Sequence, residues 1–146
     1  MVYSTMAQAD LEQSVKLAES LWPNENTDDL RRHFNDILHN DNWITFLCKT
    51  EAGDPIAFAN ISIRVDYVEG STTSPVGYIE GIYVNPKFRH IGIAKELARL
   101  GEVWSRSKGC SEYASDTESH NTESQEFHQH IGFDVAETIV HYIKKI

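Results

Sequence analysis

The segment Arg89-His90-Ile91-Gly92-Ile93-Ala94, with Lys87 just before it, joins a β-rich run to a helical one. A glycine at such a turn lets the main chain approach an anion closely. The first N–H groups of the helix point outward, and its dipole favours negative charge. This turn can therefore hold a pyrophosphate. A second chemical group lies just upstream. Val76, Tyr78, Glu80, Ile82 and Val84 alternate as one face of a strand, which puts the Glu80 carboxylate on an otherwise apolar surface. A buried carboxylate without a partner is costly, so Glu80 is expected to have one. Asp116 stands at the end of a later short strand, Asn121 ends the polar loop that follows, and His128 offers an imidazole that can give or take a proton near neutral pH. No Gly-Lys-Ser/Thr follows the turn and no Gly-x-Gly-x-x-Gly is present, so neither a Walker nor a Rossmann nucleotide site is expected. His128 and His130 face apart on a helix, and His33, His39, His90, His120 and His141 are scattered, so no metal set is expected.

The elements that must position these residues follow from periodicity. Leu11, Val15, Ala18 and Leu21/Trp22 recur at helical spacing, with Asp10 as a cap and Pro23 as a stop. Thr27-Asp28-Asp29 offers a cap and acidic first turn to a second helix, with Leu30, Phe34, Ile37 and Leu38 as its buried stripe. Runs from Ile44 to Lys49 and from Ile56 to Val68, split by a Gly-Asp-Pro turn, predict an antiparallel pair. Val76 to Val84 is the next strand. Ile93 opens a helix with Leu97, Leu100 and Trp104 on one side. Ser111 to Ser115 predicts a short strand, Thr122 to His130 a helix, and Phe133 to Ile143 a closing strand or strand pair. The result is an α/β fold: one mixed, mostly antiparallel sheet flanked by helices. Its Tyr78–Val84 strand, Ile93 helix and Ser111 strand form a parallel βαβ unit. Ligands of such sheets sit at the carboxyl ends of the strands, which gathers Val84, the turn and Asp116.

With 146 residues, 13 Lys+Arg against 22 Asp+Glu and a net charge of −9, the chain reads as one domain, residues 1–146, with a core large enough to need no staple. The acidic balance argues against nucleic acid and suits a cationic small molecule. No run reaches the roughly 18 apolar residues of a membrane span, and Met1 to Asp10 lacks the pattern of a signal peptide, so a cytoplasmic protein with no membrane contact is expected. Cys48 and Cys110 stand alone in apolar segments, as free buried thiols do.

The turn, preceded by Tyr83-Val84-Asn85-Pro86, resembles the acetyl-CoA signature of the GNAT N-acetyltransferase superfamily. Asn121 followed by Ser124, Phe127, His128 and Ile131-Gly132-Phe133 resembles that superfamily's second cofactor segment. The resemblance implies that acetyl-CoA is held by Ile82, Tyr83, Val84, Arg89, His90, Ile91, Gly92, Ile93, Ala94 and Asn121. A tyrosine that protonates the departing thiolate often stands where this chain has His128. Within the superfamily, Leu21-Trp22-Pro23, Ser62 to Gly70, Thr73-Ser74-Pro75-Val76, Glu80 to Val84 and Ala114-Ser115-Asp116 resemble the aminoglycoside 6′-N-acetyltransferases. That resemblance implies an aminoglycoside bound by Trp22, Tyr67, Glu80, Asp116 and Glu137, a homodimer, and no metal. Three carboxylates and two aromatic walls independently suit an ammonium-bearing sugar.

Acetyl transfer from a thioester needs a neutral amine, an oxyanion donor and a proton for the thiolate. Carboxylates stabilise an ammonium, so Glu80 or Asp116 is expected to position the amine and pass its proton on through water. A backbone N–H near Ile82 is the expected oxyanion donor, and no acetyl-enzyme is expected. The rivals are a polyamine or other small amine as acceptor, and a non-catalytic CoA-binding module.

Overall fold

Alternation along the central strands separates the molecule into two apolar layers on either side of one sheet. The computed structural model describes residues 1–146. Its elements are β1 (Val2–Thr5), α1 (Leu11–Leu21), α2 (Thr27–Leu38), β2 (Trp43–Lys49), β3 (Pro55–Arg64), β4 (Val76–Val84), α3 (Ile93–Ser107), β5 (Tyr113–Ser115) and α4 (Thr122–His130). The sheet runs in the order β1-β2-β3-β4-β5, antiparallel except for the parallel β4–β5 pair. Ala57, Ala59 and Ile61 of β3 face α3, meeting Ile93, Leu97 and Ala98. Phe58, between them in sequence, faces the opposite way against Val15, Ala18 and Phe34 of α1 and α2. Small residues admit α3 closely: a Cβ on Gly77 would collide with Ser105, and one on Gly101 would lie 2.7 Å from Ile61.

The expected helices and the βαβ unit are present, with several corrections. Asn26, not Thr27, caps α2, its Oδ1 accepting from the Asp28 and Asp29 N–H groups. Asp10 does not cap α1; its carboxylate accepts from the Ala7 N–H at 2.9 Å and from Lys49 at 2.7 Å. β3 stops at Arg64 rather than Val68, and β5 starts at Tyr113 rather than Ser111. Leu100 and Trp104 only flank the core. β1 was not expected, since four residues of which two are exposed carry almost no alternation. Phe133 to Ile143 forms no strand. Phe133 packs against the core, but Val135, Val140, Tyr142 and Ile143 are exposed, and the segment pairs with no strand of this chain.

The most consequential correction concerns β4. Asn60 pairs with Gly81 and Ile61 with Ile79, so Glu80 is an extra residue in the ladder, a β-bulge. The inserted residue resets the alternation. Val76, Tyr78 and Glu80 lie on the face of α1 and α2, whereas Ile82 and Val84 turn to the α3 side, so the five do not share one face.

Candidate active site

β4 and β5 pair only from Gly77↔Tyr113 to Ile79↔Ser115 and then part. The bulge bends β4 at the same level, and α4 lies beyond β5. Between them opens a cleft of about 1040 Å³. The Asn85 N–H bonds to the Ile56 carbonyl at 2.9 Å, so by the two-residue alternation of an antiparallel ladder the Ile82 and Val84 N–H groups point away from β3, toward the gap.

One wall of the cleft is main chain. Asn85 Oδ1 accepts from the Lys87 N–H at 3.0 Å, which rounds Pro86–Phe88 into a single 3₁₀ turn. Arg89 Nε donates to the Val84 carbonyl at 2.8 Å and its guanidinium lies 5.6 Å from the Tyr83 ring centre, which fixes the rest of that side chain. His90 and Gly92 then take φ values of 64° and 90°. The first bond of α3 runs from the Glu96 N–H to the Gly92 carbonyl, so the N–H groups just before it have no helical partner and remain available to an anion. A Cβ at Gly92 would touch nothing within 4 Å, so this glycine is required by its backbone angle rather than by crowding. On α4, the Asn121 side chain accepts from the Ser124 N–H at 3.1 Å and caps the helix at the rim of the cleft.

The other wall is made of side chains. Glu80 accepts from Ser62 Oγ at 2.6 Å and from Arg64 Nε and Nη2 at 2.8 Å each, the last two as a bidentate pair. The Arg64 guanidinium lies flat on the Tyr78 ring, 3.4 Å from its centre. Tyr78 donates its phenolic hydrogen to Asp116 Oδ2, while Oδ1 takes no hydrogen bond from the protein. Burial, and then the bond to Asp116, push the Tyr78 phenol far above its ordinary range, so it stays a donor. The hydrogen bonds to Glu80 likewise raise Arg64, whose charge is permanent in any case. Trp22 borders this wall. Its indole rests on the bulge, where a Cβ at Gly81 would lie 2.5 Å from the ring, and it packs on Phe58 at 5.9 Å.

His128 is held at both ring nitrogens. Nδ1 donates to the Ser124 carbonyl at 2.6 Å, which leaves Nε2 to accept from Ser115 Oγ at 2.8 Å. That tautomer is assigned from the hydrogen-bond pattern.

The cleft thus gathers Trp22, Glu80, Ile82, Tyr83, Val84, Arg89, His90, Gly92, Ile93, Ala94, Asp116 and Asn121. Three named residues lie outside its lining. Ile91 is exposed within the turn, Tyr67 is exposed on the β3–β4 loop, and Glu137 is exposed on the C-terminal segment. The last two regions adjoin each other: a Cβ at Gly70 would lie 2.6 Å from that of Ala136. Sequence reasoning missed the roles of Ser62, Arg64 and Tyr78 around the carboxylates. Their signal is the two-residue spacing of Ser62 and Arg64, but it can be read only once β3 and β4 are in register.

A parallel pair splayed beside a bulge, with an anion-binding helix N-terminus at one end and carboxylates at the other, suits transfer from a phosphate-bearing donor to a cationic acceptor. The chain belongs to the acetyltransferase (GNAT) family, whose model matches residues 11–133. Among its relatives, the aminoglycoside N(6′)-acetyltransferase type 1 of Salmonella enteritidis is 41% identical over 140 residues, 96% of each chain. That of Salmonella typhimurium is 42% identical over 129 residues, 88% of each chain. The solved structure of AAC(6′)-Iy in complex with the bisubstrate analog CoA-S-monomethyl-acetylneamine superposes with a TM-score of 0.95 at 39% identity, covering 99% of this chain and 98% of that one.

Proposed function

We propose that this protein transfers the acetyl group of acetyl-CoA to the 6′-amino group of aminoglycosides and so confers resistance to them, residues 1–146 acting as one N-acetyltransferase domain. The observation that carries this reading is the opposition, within one cleft, of the open N–H groups before α3 and the carboxylates Glu80 and Asp116. It agrees with relatives that are aminoglycoside N(6′)-acetyltransferases across nearly their whole length.

In the proposed reaction the acceptor ammonium loses one proton to water in the cleft. The amine nitrogen then bonds to the thioester carbon, the carbon–sulfur bond breaks, and the sulfur leaves with the bonding pair. The nitrogen's second proton offsets the one the thiolate takes up, so the products are amide, thiol and one proton. The residues supply placement. The turn from Arg89 to Ala94, with Ile91 at its exposed side, and the edge from Ile82 to Val84 hold the donor, with Asn121 on the far rim. The Ile82 N–H points into the gap and serves the developing oxyanion. Asp116 Oδ1, free of protein partners, takes the ammonium, with Glu80 beside it and Trp22 as the wall for the sugar ring. Most of the rate then comes from holding the amine against the thioester, where effective molarities reach roughly 10⁵ M or more. Acid–base work by Glu80 and Asp116 is confined to passing the proton to water. No cysteine takes part: Cys48 and Cys110 are buried, and burial raises both thiols.

Tyr67 and Glu137 join the substrate site in this proposal as a pair on neighbouring surface segments. The exposed Val135, Val140, Tyr142 and Ile143 support a homodimer, in which the C-terminal segment finds in a second copy the strand edge that it lacks in this chain. Light scattering on the intact protein checks this; a monomer at micromolar concentration refutes it. No helix is long and apolar enough to cross a membrane. A cytoplasmic location is proposed because the reaction consumes acetyl-CoA.

The deciding measurement is thiol release from acetyl-CoA with kanamycin or tobramycin, with spermidine, and with a drug bearing a 6′-hydroxyl. Rapid release only with the 6′-amino drugs is expected. Release with spermidine alone moves the function to polyamines, and none with any amine leaves a binding module.

A further inference from the structure

The acceptor end of the cleft contains two carboxylates, yet one of them is already matched. Both oxygens of Glu80 are engaged by Arg64, whose partly exposed guanidinium lies over Tyr78, 3.4 Å from the ring centre, outside the cleft lining. The same Tyr78 holds Asp116. Two carboxylates and one guanidinium leave the cluster with a single net negative charge, the complement of one ammonium. That balance matters to the chemistry. An ammonium between two unmatched carboxylates binds tightly but keeps its proton, and only the free amine can attack. Each unit by which the site raises the basicity of the amine removes tenfold of the reactive form at a pH below its pKa.

We propose that Arg64 is a positioning residue that acts through Glu80: by occupying that carboxylate it limits the basicity that the site imposes on the bound 6′-ammonium, so that the amine loses its proton to water at neutral pH. The inference rests on the acetyl-transfer reading above. To this cluster β4 contributes Tyr78 and Glu80, β3 contributes Ser62 and Arg64, and the loop after β5 contributes Asp116. Glu118, on the same loop as Asp116, and Glu123 and Glu126 of α4 line the same cleft and add negative charge beyond the cluster itself. From α2, His33 is within electrostatic reach of Glu80; burial lowers its pKa, which favours its neutral form. From α4, His128 is tied to Ser115 and Ser124. α1 contributes the uncharged Trp22. A limb of the pH profile that belonged to either histidine would stay in place when Arg64 is changed.

The test is the pH dependence of kcat and KM for a 6′-amino aminoglycoside, from pH 6 to 9, in the parent, Arg64→Gln and Arg64→Lys. In Arg64→Gln the KM for the drug is expected to stay level or fall. Its kcat at pH 7 should fall about tenfold, with the acidic limb of the kcat profile moved up by about one pH unit, so that activity returns near pH 9. Arg64→Lys should keep the acidic limb within about half a unit of the parent, because it keeps the charge, although it loses the bidentate pairing and the stacking on Tyr78 and so lowers Tm. A kcat loss equal at every pH, or a higher KM with an unmoved limb, overturns the proposal and leaves Arg64 as a strut. If Arg64→Gln fails to fold by circular dichroism, Glu80→Gln decides the matter: its acidic limb should move to lower pH while KM rises, and an unmoved limb overturns the proposal. Absence of thiol release by the parent protein would instead refute acetyl transfer itself.

Discussion

Along the wall from Val84 to Ala94 the cleft is bordered by open main-chain N–H groups beside the Arg89 and His90 side chains, whereas at Glu80 and Asp116 it is bordered by carboxylates held by Arg64 and Tyr78. The first wall depends on backbone angles set within a few residues. The second depends on strands far apart in sequence: Arg64 and Glu80 are 16 positions apart, and Tyr78 and Asp116 are 38 apart. Donor recognition built from N–H groups tolerates changes of side chain wherever φ stays negative, while acceptor recognition built from charge balance does not. The bulge at Glu80 joins the two walls, because one inserted residue sends Glu80 to one face of the sheet and Ile82 to the other.

Substitutions can separate these walls. The largest effect is expected at Asp116→Asn, which keeps the shape but removes the charge proposed to meet the ammonium. A charge-assisted hydrogen bond contributes about 1.5–3 kcal/mol, so kcat/KM for the drug should fall roughly 10- to 100-fold, with the KM for acetyl-CoA nearly unchanged. An equal loss on both substrates would break the division between the walls. Gly92→Ala tests the main-chain wall alone. Its Cβ meets nothing, so the cost is the left-handed backbone, about 1–2 kcal/mol. The expected result is a KM for acetyl-CoA roughly 5- to 30-fold higher with the drug KM unmoved. Asn121→Ala removes the cap of α4 at about 1 kcal/mol and should lower Tm by about 2–4 °C, while Asn121→Ser keeps the cap and most of the stability.

The smallest effect lies outside both walls. Burial beside Trp43 lowers the pKa of His33 below its ordinary value near 6.5. Above that value His33 is neutral in both folded and unfolded chains and costs nothing. Below it the unfolded chain takes up the proton more readily, so stability is lost as pH falls through the depressed folded value. Between pH 7.5 and 5.5 the parent should lose about 1–2 °C more in Tm than His33→Gln does. An identical decline in both would assign the acid sensitivity to other groups.

Legibility in the sequence follows the same division. The turn and α3 are local, and their residues announce them: a glycine between a strand and a helix, and an amphipathic stripe. The fold class was readable because helical and strand periods alternate cleanly from Leu11 to His130. Other features were not. β1 is too short to alternate, and it is specified by its pairing with β2 from Val2↔Lys49 to Thr5↔Phe46. The stretch from Phe133 to Ile143 has the composition of a strand but no partner in the chain, and composition alone does not make a ladder.

By itself the sequence determined the βαβ unit, the glycine turn before α3 and the presence of one carboxylate, Glu80, on a central strand, since each is read from patterns within single elements and the short joins between them. Only the tertiary structure decided which way Glu80 faces, that Arg64 already occupies it, and that Tyr78 holds Asp116 with one oxygen left free. These are cross-strand relations. Because side chains alternate with a period of two, one extra residue in the ladder reverses every face beyond it, and no local pattern in β4 records whether that residue is there.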